Sequence, residues 1–349
     1  MSSMKKLVAA LLVVIFAVGG IVIMKMNTKF SEQENVKLIF AVVPGKAAVD
    51  AAYKFKDLCA EYSGGKIQVD VFSDNILGDD KTVVEGAQVG DIDIAMSSTS
   101  PLANMYADYY IYDAPYLFLS PQEVYAVAFN GEVGKKIRDG VEKIGLKGMP
   151  FWENGFRNLT NSRQAVASPA DLSGMKIRTM ENRVHMAAWR ALGANPTPMA
   201  FTEVFTALQQ KTIDGQENPL GQIDASRLYE PNKFITISQH VYTPYCVLMN
   251  LEKWNSLTQE QRDIIYRAMT EAAEYQIQLS QGNEGKIIKM LEENGNVVTL
   301  ISPEEKKAFQ DLIVNAGVHE MAQQKMEHPE YFDQMRKELE EYRQRGAKS

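Results

Sequence analysis

Cysteine and histidine are scarce in this chain, and the scarcity closes several routes at once. Only Cys59 and Cys246 occur in 349 residues, far apart in sequence. Two cysteines are not a disulfide framework, so they read as buried thiols that pack like small apolar residues. The four histidines, His185, His240, His319 and His328, never stand at i, i+4 or beside a Cys-x-x-Cys pair. They give no metal site of the usual spacing. Gly-x-Ser-x-Gly, Gly-x-Gly-x-x-Gly and the Walker A loop are missing too. The chain thus offers no nucleophile elbow, dinucleotide fingerprint or phosphate cradle, and no cofactor is expected. The formal net charge is −7, with no basic block before the far C-terminus. A nucleic-acid binder needs a basic patch, so nucleic acid is set aside as a partner. No Gly/Ser-rich or Pro-rich linker is present, and any hinge must be built from regular structure.

What is present starts with Lys5 and Lys6, followed by residues 7–24, a run of 18 positions without a charge. A basic stub before an apolar run is an export signal. Its length is also close to the minimum for spanning a bilayer. Two outcomes stay open: cleavage after small residues such as Ala17-Val18-Gly19, or retention as an N-terminal anchor. No cysteine follows the run, which excludes a lipid-anchored N-terminus. Residues 1–35 are read as signal peptide or anchor plus spacer, and the fold is expected on the periplasmic or extracellular face.

Beyond the run, β-rich and helical patterns alternate. Residues 36–43 are apolar and stop at Pro44-Gly45. Residues 46–62 place Val49, Ala52, Phe55, Leu58, Cys59 and Tyr62 on one helical face. Residues 67–72 and 92–96 read as strands, with a short helix over 80–89 between them. Such alternation implies parallel βαβ units in an α/β sheet, with ligands just beyond the carboxyl ends of the strands. Ser97, Ser98, Thr99 and Ser100 follow at that rim, either as ligand contacts or as a helix cap before Pro101. The aromatic cluster from Tyr106 to Phe118 reads as packing. Thr258 and Gln261 open a helix by the capping-box rule. Its periodicity continues toward Met290 past Gly282 and Gly285. Such a helix has about 33 residues and a length of about 50 Å at 1.5 Å per residue. It can lie along two domains, with the glycines as bending points. Residues 331–348 pair Glu with Lys and Arg and read as a polar helical tail with a solvated face.

The stretch 153–220 carries the chemistry. It holds Glu153-Asn154-Gly155-Phe156-Arg157, Asp171-Leu172-Ser173-Gly174-Met175-Lys176-Ile177-Arg178-Thr179, and Gln216-Glu217-Asn218-Pro219. Residues 176–179 read as a strand ending near Arg178. A guanidinium is a planar fork that matches a carboxylate with two parallel hydrogen bonds. Asn218, kept extended by Pro219, can donate to the same oxygens from a third direction. These residue types grip a carboxylate without changing it.

On these residues the stretch resembles the second domain of the extracytoplasmic solute-binding proteins of TRAP transporters, the DctP type. Gly64-Gly65-Lys66-Ile67, Leu77-Gly78-Asp79-Asp80, Gly90-Asp91-Ile92-Asp93 and Asp113-Ala114-Pro115-Tyr116-Leu117-Phe118 resemble the first domain of that family. The resemblance covers residues 36–325. It implies a two-lobed, periplasmic-binding-protein-like α/β fold of type II, with a long helix spanning both lobes. Lobe I is expected over 36–153 and 243–280, lobe II over 154–242 and 281–325, and the tail over 326–349. The implied function is capture of a small organic carboxylate by lobe closure and its delivery to the two-subunit TRAP permease in the membrane. The binding protein itself is expected to be monomeric.

In this reading Arg178 is the clamp, with Arg157 and Asn218 completing the anion site. Phe201 packs beside the ligand, as the resemblance implies for the aromatic at that position. Asp79, Asp80, Ser98, Thr99, Glu153 and Asn154 supply hydroxyl and carboxylate contacts, and Trp152, Phe201 and Tyr245 cover an apolar sugar face. With Lys46 the one obvious spare cation, a sugar acid such as a uronate or aldonate is expected ahead of a C4-dicarboxylate. The sequence departs from the family in the loop after the first strand. That loop reads Pro44-Gly45-Lys46 in place of the family's frequent His-Pro or His-Gly. The rival of another class is a secreted enzyme acting on acidic sugars, which would need Glu153 and Glu217 as a tuned acid/base pair. A chemoreceptor input module would need a signalling domain, which is not found.

Overall fold

The computed structural model describes residues 35–346, so the apolar run at 7–24 lies outside the described residues. Among the described residues, no helix is long and apolar enough to cross a membrane.

The chain opens with β1 (Val36–Ala41), α1 (Lys46–Tyr62), β2 (Ile67–Phe72), α2 (Asp80–Val89) and β3 (Ile94–Ser98). β1 pairs in parallel with both β2 and β3. Leu38 and Phe40 point from β1 into a core with Phe55 and Leu58 of α1. Ala41 and Ala95 face the other side, where Val83 and Val84 of α2 meet the buried tyrosines 106, 109, 110 and 112. The aromatic cluster is packing, as its composition implied. A short helix, α3 (Glu132–Gly140), leads to β4 (Leu146–Gly148) and β5 (Trp152–Asn161).

β5 joins the two halves of the molecule. Its first residues pair antiparallel with β10 (Tyr242–Asn250), for instance Trp152 with Tyr245. Its last residues pair with β8 (Gly215–Pro219) and β9 (Phe234–Ile237), for instance Arg157 with Pro219 and Leu159 with Thr236. Gly155 sits at the changeover with a φ of +119°, a backbone state that side-chain-bearing residues rarely adopt. Opposite it, the ladder with β10 shifts register between Thr243 and Pro244. Pro244 has no N–H to give, and a bulge is where a central strand tolerates that.

The second half runs β6 (Lys176–Thr179), α4 (Arg183–Ala191), β7 (Asn195–Pro198), α5 (Phe201–Gln209), β8 and α6 (Leu220–Ala225). β6 pairs in parallel with β7 and β8. After β9 and β10 come α7 (Gln259–Gln281), α8 (Glu284–Glu293), β11 (Val297–Leu300), α9 (Pro303–Asn315), α10 (Val318–Lys325) and α11 (Glu330–Gly346). The strands lie in the order β2-β1-β3-β10-β5-β8-β6-β7, with β4 beside β10 and β9 between β5 and β11. This is the expected mixed α/β architecture of two sheets joined through shared strands.

Three readings need correction. The long helix is two helices, α7 of 23 residues and α8 of 10, broken at Gly282 and Asn283. α7 packs on α1 and β5, and α8 on α6 and β11, so the pair still runs along both halves. The tail is not solvated all round: α11 buries Phe332, Met335 and Leu339. Arg343 there donates to Glu123 at 2.9 and 2.8 Å. Finally, residues 149–153 read as a strand with Arg157 just beyond it, but the strand is Trp152–Asn161 and Arg157 lies within it.

Candidate functional site

A small cavity opens where the carboxyl end of β3, the loop after β1, the start of α2 and the edges of β5, β6 and β8 converge. Its volume is about 30 Å³. Arg178, Asn218, Phe201, Asp80, Ser98 and Asn154 are all on its wall, as are Pro44, Asn75, Met180, Gln222 and Tyr245.

Arg178 is 2 % exposed. Its Nε and Nη2 donate to the Met199 carbonyl at 2.9 and 2.6 Å, which fixes the plane of the guanidinium. Nη1 is buried and has no protein partner. Phe201, at the start of α5, places its ring centre 5.9 Å from Cζ, within the range of a cation–π contact. Burial, and then the like charge of Arg157, push Arg178 down to about 10. It is therefore still a cation at neutral pH.

Asn218 lies in β8 across from Asn158 of β5. Its Nδ2 donates to Gln216 Oε1 at 2.6 Å, and its Oδ1 accepts from Arg157 at 3.0 Å. Arg157 itself, 1 % exposed, is not on the cavity wall. It donates to both carboxylate oxygens of Glu217, at 2.5 and 2.9 Å, and to the Glu217 carbonyl. His240 Nε2 lies 3.1 Å from the same carboxylate. Burial pushes Glu217 up, but Arg157, the hydrogen bond with His240 and the charge of His185 together hold it far below the ordinary carboxylate range. The expected anion site is thus split. Arg178 faces the cavity, and Arg157 is spent on a buried ion pair that braces Asn218.

The first half supplies acceptors. Asp79 caps α2 by accepting from Thr82 N–H at 2.9 Å. Asp80 reaches across to β3 instead, accepting from Ser98 N–H at 2.7 Å and Ser97 Oγ at 2.9 Å. Burial raises its pKa against the pull of those bonds and of Arg178. Asn154 Nδ2 donates to Ser98 Oγ at 3.2 Å, while its Oδ1 is buried without a partner.

Three expected contacts are placed elsewhere. Thr99 is fully buried behind the rim. Trp152 stands edge-on to Phe40 at 6.1 Å in the core and does not cover the cavity. Glu153 lines an adjoining, larger space and accepts from Tyr125 at 2.5 Å. Burial pushes it up to about 7. Lys46 is exposed and paired with Asp50 at 2.7 Å. An acid/base role for Glu153 with Glu217 loses its second member, because Glu217 is fully buried, lines neither space and spends its carboxylate on Arg157 and His240.

Gln222 was not read as a contact from the sequence. Its Nε2 donates to the Pro44 carbonyl and, at 2.5 Å, to the Tyr245 hydroxyl, so it ties α6 to the loop after β1. Its Oε1 is buried without a partner. A six-residue helix containing Gly221 has too little periodicity to stand out. Pro219 before it was the one available signal.

The chain is similar to several known proteins. The family model for bacterial extracellular solute-binding protein, family 7, matches residues 41–325. The 2,3-diketo-L-gulonate-binding periplasmic protein of Escherichia coli is 36% identical over 265 residues, 76% of this chain and 80% of that one. The C4-dicarboxylate-binding periplasmic protein of Rhodobacter capsulatus is 30% identical over 280 residues, 80% and 84% of the two chains. The crystal structure of a sugar acid binding protein from Advenella mimigardefordensis, in complex with galactonate, superposes with a TM-score of 0.85 at 32% identity. It covers 89% of this chain and 99% of that one. Proteins of this kind bind small carboxylates, are not enzymes, and work outside the cytoplasm with a membrane permease. The chain belongs to family 7 of the bacterial extracellular solute-binding proteins, the extracytoplasmic binding component of TRAP-type transporters.

Proposed function

We propose that the ligand is a hydroxylated monocarboxylate, a sugar acid of the uronate or aldonate kind. One observation carries this reading. Three residues of the cavity wall each carry a buried polar atom with no protein partner: Arg178 with Nη1, a charged donor, and Asn154 and Gln222 with Oδ1 and Oε1, two neutral acceptors. A buried polar atom left unpaired costs about 1–3 kcal/mol, more for a charged group, so the wall is complete only when occupied. A carboxylate answers the donor and hydroxyl groups answer the acceptors. Asp80 on the same wall repels a second carboxylate.

Arg178 in this reading makes the main charge-assisted contact, helped by Asn218, with Arg157 as a positioning residue behind it. Lobe I comprises residues 36–153 and 243–280, and lobe II residues 154–242 and 281–325. Closure brings them together across Gln222, whose hydrogen bonds already link α6 to Pro44 and Tyr245. The basic stub and uncharged apolar run at residues 5–24 send the chain across the membrane. N-terminal sequencing of the native protein distinguishes cleavage from anchoring, and recovery in the cytosol with Met1 intact overturns export.

A C4-dicarboxylate is the second reading, favoured by the name of the Rhodobacter capsulatus relative. It requires a second cation, and Lys46 is engaged with Asp50 at the surface. Calorimetry with succinate, malate, glucuronate, galacturonate and gluconate decides between them. Tight succinate binding with no sugar-acid binding overturns the first reading. Arg178→Ala is expected to cost about 2–5 kcal/mol of binding, the range for breaking a buried charge pair. Arg178→Lys is not expected to rescue it, because an ammonium lacks the fork. Near-normal affinity of the Lys variant would remove Arg178 as the clamp.

A further inference from the structure

We infer that the cleft has two chambers and that the second takes the hydroxylated tail of a long sugar acid. Glu153, Asn154 and Gln222 then become the residues that select ligand length. The inference rests on the carboxylate reading above. The Arg178 cavity has a volume of only about 30 Å³. A single water needs about 10–15 Å³ of such space, so the cavity holds the equivalent of two or three waters. That accommodates a carboxylate group but not a six-carbon chain.

A second space of about 380 Å³ adjoins it. Pro44, Asn154, Gln222 and Tyr245 belong to the walls of both. The partition is the Gln222 amide, whose Nε2 is bonded to the Pro44 carbonyl and the Tyr245 hydroxyl. Its Oε1 and the neighbouring Asn154 Oδ1 are the unpartnered acceptors, carried by two residues that belong to both walls. Beyond the passage, the Glu153 carboxylate, 5 % exposed, continues the row of acceptors. Ala48 and Ile287 supply apolar wall opposite a carbon chain. Acceptor side chains and hydrocarbon share this lining with Lys46 and Lys286, and such a mixture matches a polyol.

Gly221 of α6 also lines the second chamber, and a Cβ added there meets nothing within 4 Å. Gly221→Leu therefore adds bulk at the chamber wall from a position where the first added atom meets open space. The experiment is calorimetry of wild type, Gly221→Leu and Arg178→Ala with glycerate, erythronate, gluconate and galactonate. Wild type is expected to bind the better six-carbon acid at least tenfold more tightly than glycerate. Gly221→Leu is expected to reduce that ratio at least tenfold. If wild type binds glycerate and the six-carbon acids equally, or if folded Gly221→Leu keeps the ratio, the second chamber is not a ligand site and the carboxylate reading stands. If wild type binds none of the four acids, or Arg178→Ala binds them as wild type does, both readings fall. The wild-type length series is decisive even where the leucine variant does not fold.

Discussion

Arg157 and Arg178 carry the same guanidinium, yet their surroundings give them different work. Arg178 keeps its buried Nη1 group without a protein partner, whereas Arg157 spends Nε and Nη2 on Glu217. Sequence alone marks both as candidate anion contacts, because the partner that engages Arg157 stands 60 residues away. Glu217→Gln leaves Arg157 buried without its countercharge. It is expected to cost about 3–5 kcal/mol of stability at pH 7, read by urea denaturation; a loss too small to measure would mean that the pair is solvated. Glu217 is depressed in the folded state, so its contribution is present above the ordinary carboxylate pKa of 4.5 and is lost as pH falls below it. Glu153 has the opposite sign. Burial raises it to about 7, Tyr125 partly opposes this, and Glu284 adds to it. The folded state takes up a proton there, so stability declines as pH rises from 4.5 to about 7. Glu153→Gln removes that loss. Its melting midpoint should exceed that of wild type at pH 8, with the gap narrowing as pH is lowered to 5. A gap independent of pH would show that Glu153 keeps an ordinary pKa.

Strand β5 is the element whose sequence misleads most. Asn154-Gly155 looks like a turn signal, so the strand reads as ending at Glu153. In the fold it continues to Asn161 because Gly155 takes a φ of +119° and lets one strand leave the first sheet and enter the second. Gly155→Val forces a β-branched side chain into that state. The expected cost is about 1–3 kcal/mol, measured as a shift in the urea midpoint; an unchanged midpoint would mean that the crossing relaxes freely. By contrast, β6 was legible from four residues, since Lys176 to Thr179 alternates and follows a Ser-Gly turn. The α7–α8 break was legible only as a pair of glycines. Periodicity persists through a bend, so it does not show where a helix stops and restarts.

At the scale of the whole molecule, the alternation of strands and helices gave the α/β class, and the family resemblance implied its two lobes. The seating of the C-terminus was harder to see. α11 is mostly charged, and its three buried residues recur at 332, 335 and 339, a stripe too narrow to outweigh that composition. It nevertheless fastens onto the first half of the chain, where Val133 N–H donates to Glu338 at 3.3 Å and Arg343 holds Glu123. Leu339→Ala should cost about 2–5 kcal/mol, as for other buried leucines. A change within error in the urea midpoint would show that the helix is only loosely laid on. The two thiols have a consequence at this scale as well. Cys59 is on the buried face of α1 and Cys246 lies in β10 beside β3 in the first sheet, both free and fully enclosed. Burial pushes Cys246 up to about 12 and Cys59 higher still, which leaves almost no thiolate to react in the native state. A protein working in an oxidising compartment thereby carries two sulfurs that only motion can expose. Their consumption by an alkylating reagent times the breathing of the molecule, with Cys246 as the stopwatch for the middle of the first sheet and Cys59 for the helix packed on it.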